Sequence, residues 1–212
     1  MAKRHPTRSE NLRRVLAQES ARIMAEHGIR DFRVAKRKAA ERLGVADGAV
    51  LPKNTEIEAA LAEYQRLFRR ESHVKSLHAQ RRAALRAMRR LSEFEPRLVG
   101  PVLTGTATEH SEVQLHLFAD YAESVTIKLI DAGIPYEVTE RRVKMSAERV
   151  ISCPGVRFEM DDQAIDATVF PADGIRQAPV SPVDGKPMRR ADADELEELI
   201  ERSAASPLYG LG

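Results

Sequence analysis

The segment Leu98–Asp120, LVGPVLTGTATEHSEVQLHLFAD, decides how the second half of the chain is interpreted. It begins with a glycine-punctuated stretch and continues into an alternation that places polar side chains on one side of a predicted strand and apolar ones on the other. The polar positions are Glu112, Gln114 and His116, and the apolar positions are Val113, Leu115 and Leu117. This alternation fits a strand with a solvated face, and it also fits a metal-binding strand that has lost part of its charge.

The residues before this segment predict helices. Apolar side chains recur at helical spacing in the stretches 12–23, 32–43 and 57–68. Thr55 and Glu58 have the spacing of a capping box at the start of the third stretch. A further apolar stripe, Val74–Leu91, either extends this helix or forms another one. The first half of the chain is therefore predicted to be a helical region.

From Leu98 onward the pattern predicts a sheet with flanking helices. Strands are expected over 98–103 and 112–118, over 136–145 as a polar strand at an edge of the sheet, and over a hairpin that ends with 165–170. Asp120 is expected to cap a helix over 121–132, and Asp192 or Asp194 to begin an acidic C-terminal helix after a Pro-rich loop. This order of elements predicts an α+β fold in which helices cover one side of a mixed sheet.

The composition is that of an ordinary globular protein, with 42% hydrophobic and 31% charged residues. No apolar run approaches the roughly 18 residues that a membrane span needs, so no membrane association is expected. The single Cys153 excludes an internal disulfide and fits a reducing compartment, which predicts a cytoplasmic protein.

The charges are divided unevenly along the chain. Residues 1–90 contain 22 basic and 10 acidic side chains, whereas the remainder contains 12 basic and 22 acidic ones. The chain is therefore divided into a basic helical region, residues 1–95, and an α/β domain, residues 96–212. The basic half could face phosphates, or the two halves could attract each other within one chain or across a homodimer.

A dense basic patch directly precedes the segment at Leu98. It consists of Arg81, Arg82, Arg86, Arg89 and Arg90. Basic side chains at this density favour contact with the phosphates of a nucleic acid. The patch has no interleaved aromatic residues for base stacking, so any contact with RNA would be with the backbone rather than with the sequence. The alternative interpretation is an ordinary solvated helix surface.

The glycines and the strand together carry a resemblance to a known family. Gly100-Pro101, then Gly105, then Ser111-Glu112-Val113-Gln114 resembles the signature of the DNA polymerase beta-like nucleotidyltransferase superfamily, minimal bacterial type. That signature has Gly-Ser, a glycine-containing loop and then Asp-hydrophobic-Asp. The resemblance covers residues 81–170, with Pro101, Glu112 and Gln114 standing where the family has Ser, Asp and Asp.

The resemblance implies a metal-dependent site. In the family, carboxylates two residues apart on a strand share one face and hold Mg²⁺, which clamps a nucleoside triphosphate. Carried over, the metal ligands are Glu112, Gln114 and a third carboxylate, for which Asp166 is the first choice and Glu159 the second. Glu112 and Asp166 become the candidate catalytic residues. The candidate nucleotide-binding residues are Gly100, Pro101, Gly105 and Ser111.

Two functions of different classes follow from this resemblance. In the first, the protein is a nucleotidyltransferase that transfers a nucleoside monophosphate from a nucleoside triphosphate to an acceptor, with RNA as one candidate, and uses a divalent metal. In the second, the altered motif has lost catalysis and the fold serves as a nucleotide-sensing or RNA- or protein-binding module. The sequence leaves open whether the protein is an enzyme.

Overall fold

The computed structural model describes residues 7–45 and 50–204. Within these ranges the chain is an α+β protein with seven α-helices and one five-stranded mixed sheet. The contacts divide it into two compact units. The first comprises the residues up to Val74 with Thr108–Ser111 and Pro182–Asp184, and the second comprises the rest. This division lies inside a helix, and the boundary between residues 95 and 96 stays a sequence-based prediction.

The first unit is built on three helices, α1 (Arg8–His27), α2 (Phe32–Arg42) and α3 (Asn54–Phe68). A capping box begins α1, because the N–H of Glu10 donates to Thr7 Oγ1 and the N–H of Thr7 donates to Glu10 Oε2. The helices pack through small and branched side chains, among them Ala17, Ala21, Ala35, Ile57 and Leu61.

The capping box expected at Thr55 and Glu58 is wrong by two residues. The N–H of Lys53 donates to Glu56 Oε2 at 2.7 Å, so α3 begins at Asn54. Lys53 and Glu56 have the same separation in sequence as Thr55 and Glu58. Spacing alone therefore does not distinguish the two pairs as the start of α3.

The second unit contains the sheet. Its strands are β1 (Arg97–Val99), β2 (Val113–Phe118), β3 (Tyr136–Lys144), β4 (Val150–Met160) and β5 (Gln163–Phe170). They lie in the order β1-β2-β5-β4-β3, and only β2 and β5 are parallel. The edge position of β3 and the β4–β5 hairpin confirm the sequence-based expectations.

Helices and a large core cover one face of this sheet. The helices of the second unit are the part of α4 (Arg70–Arg90) from Lys75 on, α5 (Gly100–Thr104), α6 (Glu123–Asp131) and α7 (Ala193–Ala204). The core contains the fully buried side chains of Met88, Leu115, Leu117, Ile165 and Leu196. Leu115 and Leu117 are two of the alternating apolar positions, so the inward direction predicted for them is confirmed.

Two predicted elements of this unit are shorter than expected. The strand expected over 98–103 ends at Val99, because Gly100 adopts a φ of 71° and α5 begins there, with Pro101 in its first turn, where no N–H is needed. The helix expected at Asp120 begins at Glu123, after a turn, with Ala122 as its N-cap. Along the C-terminal helix, Asp192 is confirmed as the cap, since it accepts from the N–H of Glu195 at 2.9 Å.

The helices in the described part of the chain include none that is both long and apolar enough to cross a lipid bilayer.

Candidate functional site

The glycine-punctuated turn is a tight connection between β1 and α5. Gly100 lies under the side chain of Gln114: a Cβ at this position would collide with Gln114 Oε1 and would lie 3.1 Å from Gln114 Cδ. The carbonyl of Pro101 accepts from the N–H groups of Gly105, Thr106 and Ala107. Gly105 then ends the helix with a φ of 87°. Gly100, Pro101 and Gly105 therefore shape the backbone before β2.

Ser111 is part of a closed turn of the first unit. The N–H of Thr108 donates to Ser111 Oγ at 2.9 Å, and the N–H of Ser111 donates to the carbonyl of Thr108 at 3.0 Å. The hydroxyl expected to bind phosphate thus accepts a hydrogen bond from the backbone of its own turn.

The second face of the sheet brings the strand residues of the candidate site together. Gln114 on β2, Asp166 on β5 and Arg157 on β4 are successive Cα partners, so their side chains leave the sheet on the same side. Glu159 is on this face of β4 as well, as an exposed residue paired with Ala164. The juxtaposition of Gln114 with the candidate third carboxylate is thus a property of the strand register.

Asp166 is held by an arginine from the edge strand. Arg141 on β3 donates from Nη2 and Nε to Asp166 Oδ1, at 2.8 and 3.2 Å. To reach β5, the side chain passes across β4 at Gly155, where a Cβ would lie 3.7 Å from Arg141 Cγ. The same Cβ would come within 2.7 Å of Thr139 Oγ1, so glycine at this position leaves room for both side chains.

Glu112 is also held by an arginine, and it is almost fully buried. Its side chain is 8% exposed, and it forms an ion pair with Arg157, whose side chain is 46% exposed. A carboxylate at this depth is stable only when it is paired, because burial removes its hydration. The alternating polar positions are therefore not a solvated face: Glu112 and His116 are both buried.

His116 is held by a third arginine. Arg190 Nε donates to His116 Nδ1 at 3.1 Å, so this ring nitrogen is an acceptor. Burial, with a smaller contribution from the charge of Arg190, lowers the pKa of His116 to about 3. The ring packs edge-on against Phe170, with the two centroids 4.7 Å apart. His116 is therefore a neutral, packed side chain at physiological pH.

Arg190 itself anchors the Pro-rich loop. It donates from Nη1 to the carbonyls of Gly174 and Ile175, at 3.2 and 3.0 Å, and its guanidinium lies over the rings of Phe118 and Phe170. Burial, and secondarily the charge of Arg97, lowers the pKa of Arg190 to about 10. Below that pH Arg190 is a cation, and its contacts with Gly174 and Ile175 hold the loop over the aromatic rings.

In this structure the candidate magnesium ligands Glu112, Gln114 and Asp166 are engaged in other contacts. Mg²⁺ requires oxygen ligands in octahedral geometry and usually keeps several waters. The two carboxylates are each engaged by a guanidinium, and Gln114 lies against Gly100. Among the described residues there is no group of three or more His, Cys, Asp or Glu side chains arranged to hold a metal ion.

The basic patch on α4 is partly used inside the second unit. Arg81 is buried and donates to the carbonyls of Val102 and Leu103 and to Ser203 Oγ. Arg86 pairs with Asp161, and Arg89 donates to both carboxylate oxygens of Glu197 at 2.7 Å.

Arg82 and Arg90 are the exposed members of the patch for which no intramolecular ion pair is seen among the described residues. Arg86 and Arg89, which come from the basic half of the sequence, thus pair with acidic residues of the other half within the second unit.

The three arginines that hold these side chains were not among the residues predicted for the site; they are Arg141, Arg157 and Arg190. Arg157 alternates with Val156 and Phe158, which placed it on a polar face but gave no partner. Its proximity to Glu112 depends on β5 lying between β2 and β4, and strand order is not visible in a local pattern.

No protein-family model, no curated protein and no solved structure matches this chain.

Proposed function

We propose that this protein is a nucleotidyltransferase-like fold that has lost metal-dependent transfer and serves as a binding module. One observation carries the proposal: each carboxylate of the candidate metal site is paired with an arginine, Glu112 with Arg157 and Asp166 with Arg141. A guanidinium is charged at every physiological pH, so it competes with a metal ion for its carboxylate.

Energetics support this choice. To bind a divalent cation, Glu112 would first lose its pairing with Arg157, and the displaced guanidinium would remain next to the incoming charge. Two like charges in a partly buried place repel each other by several kcal/mol at an effective dielectric constant of about 20. Gln114 contributes an amide oxygen, which is a weaker magnesium ligand than a carboxylate. The glutamine at position 114 and the arginine pairs thus both weaken the binding of a divalent cation.

The second candidate is the active nucleotidyltransferase, and one observation favours it. Gln114 and Asp166 are Cα partners on parallel strands, and Glu112 precedes Gln114 by two residues, so the strand scaffold for a carboxylate pair is present. In this case Glu112 and Asp166 would ligate Mg²⁺ and a nucleoside triphosphate would be the substrate. The exposed Arg82 and Arg90 would face an RNA acceptor.

Manganese binding distinguishes the two candidates. Mn²⁺ is titrated into the wild type and into the matched variant Glu112→Gln, with and without nucleoside triphosphate, and is followed by electron paramagnetic resonance. We expect both proteins to bind the same amount of Mn²⁺, so that the wild type has no additional saturable site. We also expect no transfer of label from α-labelled nucleoside triphosphate to bulk RNA or to the protein. A stoichiometric Mn²⁺ site that disappears in Glu112→Gln, or label transfer that needs Asp166, would overturn the binding-module proposal and support the enzyme.

A further inference from the structure

We propose that Arg141 and Arg157 form a binding site for a polyphosphate anion that needs no metal ion, so that guanidinium groups take the role of the divalent cations. The inference deepens the proposed loss of metal-dependent transfer and rests on it. It identifies the ligand class of the binding module by the chemistry of two arginines on one sheet face.

Each of these arginines has donors left after it has paired with its carboxylate. A guanidinium carries five N–H groups in a planar fork that matches the oxygens of a carboxylate or a phosphate. Arg141 uses Nε and Nη2 toward Asp166, and Arg157 uses Nη2 toward Glu112. Their side chains are 39% and 46% exposed, so a substantial part of each is accessible from solvent.

The fold brings the two guanidinium groups to the same place. Arg141 and Arg157 start on adjacent strands, β3 and β4, which lie about 4.8 Å apart. Asp166, which holds the Arg141 guanidinium, is the Cα partner of Arg157. The Arg141 guanidinium therefore lies at Asp166, beside the backbone position of Arg157, whose own guanidinium reaches Glu112 on the same face. We expect neighbouring phosphates of one polyphosphate chain to contact both guanidinium groups.

The carboxylates position the arginines for this task. Long arginine side chains lose conformational entropy when they are ordered on a ligand, and an ion pair that already fixes them removes part of this cost. Glu112 is buried and Asp166 is only 14% exposed, so both lie beneath the guanidinium groups rather than beside them. Both guanidinium groups are thus more accessible to an anion from solvent than the two carboxylates that hold them, while the exposed Glu137 and Glu159 lie on the same face.

A second polar group on this face is unsatisfied. Thr139 Oγ1 is buried and has no hydrogen-bond partner among the described residues, and it is two residues from Arg141 on the same side of β3. Arg190 Nη2, next to His116 on the same face, is a further buried donor without a partner in the described part of the chain. Unpaired donors and hydroxyls are costly in a protein interior, so these two buried atoms mark unsatisfied polar groups beneath the face on which Arg141 and Arg157 lie.

The experiment uses the full-length protein with inorganic tripolyphosphate and with ATP, titrated by calorimetry in EDTA and then in excess Mg²⁺. We expect saturable binding of both ligands in EDTA. Excess Mg²⁺ is expected to weaken it by about tenfold or more, because the bound cation neutralises the charge that the arginines recognise. This direction is opposite to that of a metal-dependent nucleotide site.

Variants that keep the ion pairs locate the site. Arg157→Lys and Arg141→Lys retain a positive charge for Glu112 and Asp166 but lose the fork, and each is expected to weaken tripolyphosphate binding by about tenfold. Arg142→Ala is the matched control, since this exposed neighbour on β3 points to the other face. It is expected to bind like the wild type.

The outcomes separate the two proposals. No binding of tripolyphosphate or ATP in either condition overturns this inference and leaves the loss of metal-dependent transfer intact. Binding that appears only with Mg²⁺ overturns both. The inference is also overturned if binding in EDTA is weakened by Arg82→Ala but not by Arg157→Lys. That result would place the anion on α4, where an RNA would then be expected to bind as well. The comparison of EDTA with Mg²⁺ uses the wild type and does not depend on whether a variant folds.

Discussion

Removal of Arg157 tests whether the pair with Glu112 stabilises the fold. In Arg157→Ala the Glu112 carboxylate stays buried but loses its cationic partner. Breaking a fully buried pair costs about 3–5 kcal/mol, because an uncompensated charge is left in the interior. Here only Glu112 is buried, whereas Arg157 is 46% exposed, so water can partly replace the guanidinium. We therefore expect a loss of about 2 kcal/mol in the free energy of unfolding.

The second variant of this test also removes the negative charge of Glu112. In Glu112→Gln together with Arg157→Ala, the buried group is neutral, and the cost of a buried carboxylate that has lost Arg157 disappears. We expect the double variant to be more stable than Arg157→Ala by about 1 kcal/mol or more. Arg142→Ala serves as the control for loss of an exposed arginine and is expected to change stability by less than about 0.5 kcal/mol.

The assay is urea unfolding followed by circular dichroism at pH 7, with midpoints compared at a shared slope. Two results would refute the reasoning. If Arg157→Ala is no less stable than Arg142→Ala, Glu112 does not depend on its guanidinium partner. If the double variant is less stable than Arg157→Ala, the lost stability comes from packing of the arginine side chain and not from a buried charge.

Three further predictions concern single residues. Gly100→Ala places a side chain at a left-handed φ and makes it collide with Gln114, so it should lower the free energy of unfolding by about 2–4 kcal/mol. Gly133 also has a left-handed φ but has open space around it, so Gly133→Ala should lower this free energy by about 1 kcal/mol in the same urea assay. His116 has a pKa of about 3 in the folded protein, below its unfolded value, so the unfolded state binds more protons. Stability should fall by up to about 1.4 kcal/mol per pH unit from pH 6.5 down to 3, and His116→Asn should flatten this slope; an unchanged slope contradicts a neutral His116. Arg81→Ala should lower the thermal midpoint by several degrees through unpaired buried carbonyls, whereas Arg82→Ala should leave it within about a degree, and equal effects would refute the internal role of Arg81.

Local patterns in the sequence were sufficient for much of the fold. The α+β class, the edge strand β3, the β4–β5 hairpin and the inward direction of Leu115 follow from periodicity and turn residues, because these depend on near neighbours. The strand expected up to Leu103 was wrong because the change of backbone direction at Gly100 outweighs the apolar run that follows it. The start of α3 was displaced because Glu56 and Glu58 both have capping-box spacing, and α6 begins two residues after the expected Tyr121 because a turn follows Asp120.

The sequence provided candidate residues for a site, but not the ion pairs that hold them. Alternation placed Glu112 and Gln114 on one side of a strand, the resemblance supplied Asp166, and the β2–β5 register brings Gln114 and Asp166 together. The cations opposite them come from β3 and β4, and Arg141 reaches Asp166 only because Gly155 lets it pass over a whole strand. This ion pair depends on the arrangement of three strands. It therefore cannot be predicted from residues that are close together in sequence.

The parallel pairing of β2 with β5 also bears on the order in which the protein folds. The pairs β3–β4 and β4–β5 join segments adjacent in sequence, so they close short loops. The register Gln114↔Asp166 joins residues about fifty positions apart and closes a long one. We expect β2 to be among the last strands to gain amide protection in pulsed hydrogen exchange. The carboxylates and their guanidinium partners would then meet only when the sheet is complete, so partly folded chains lack this charge arrangement.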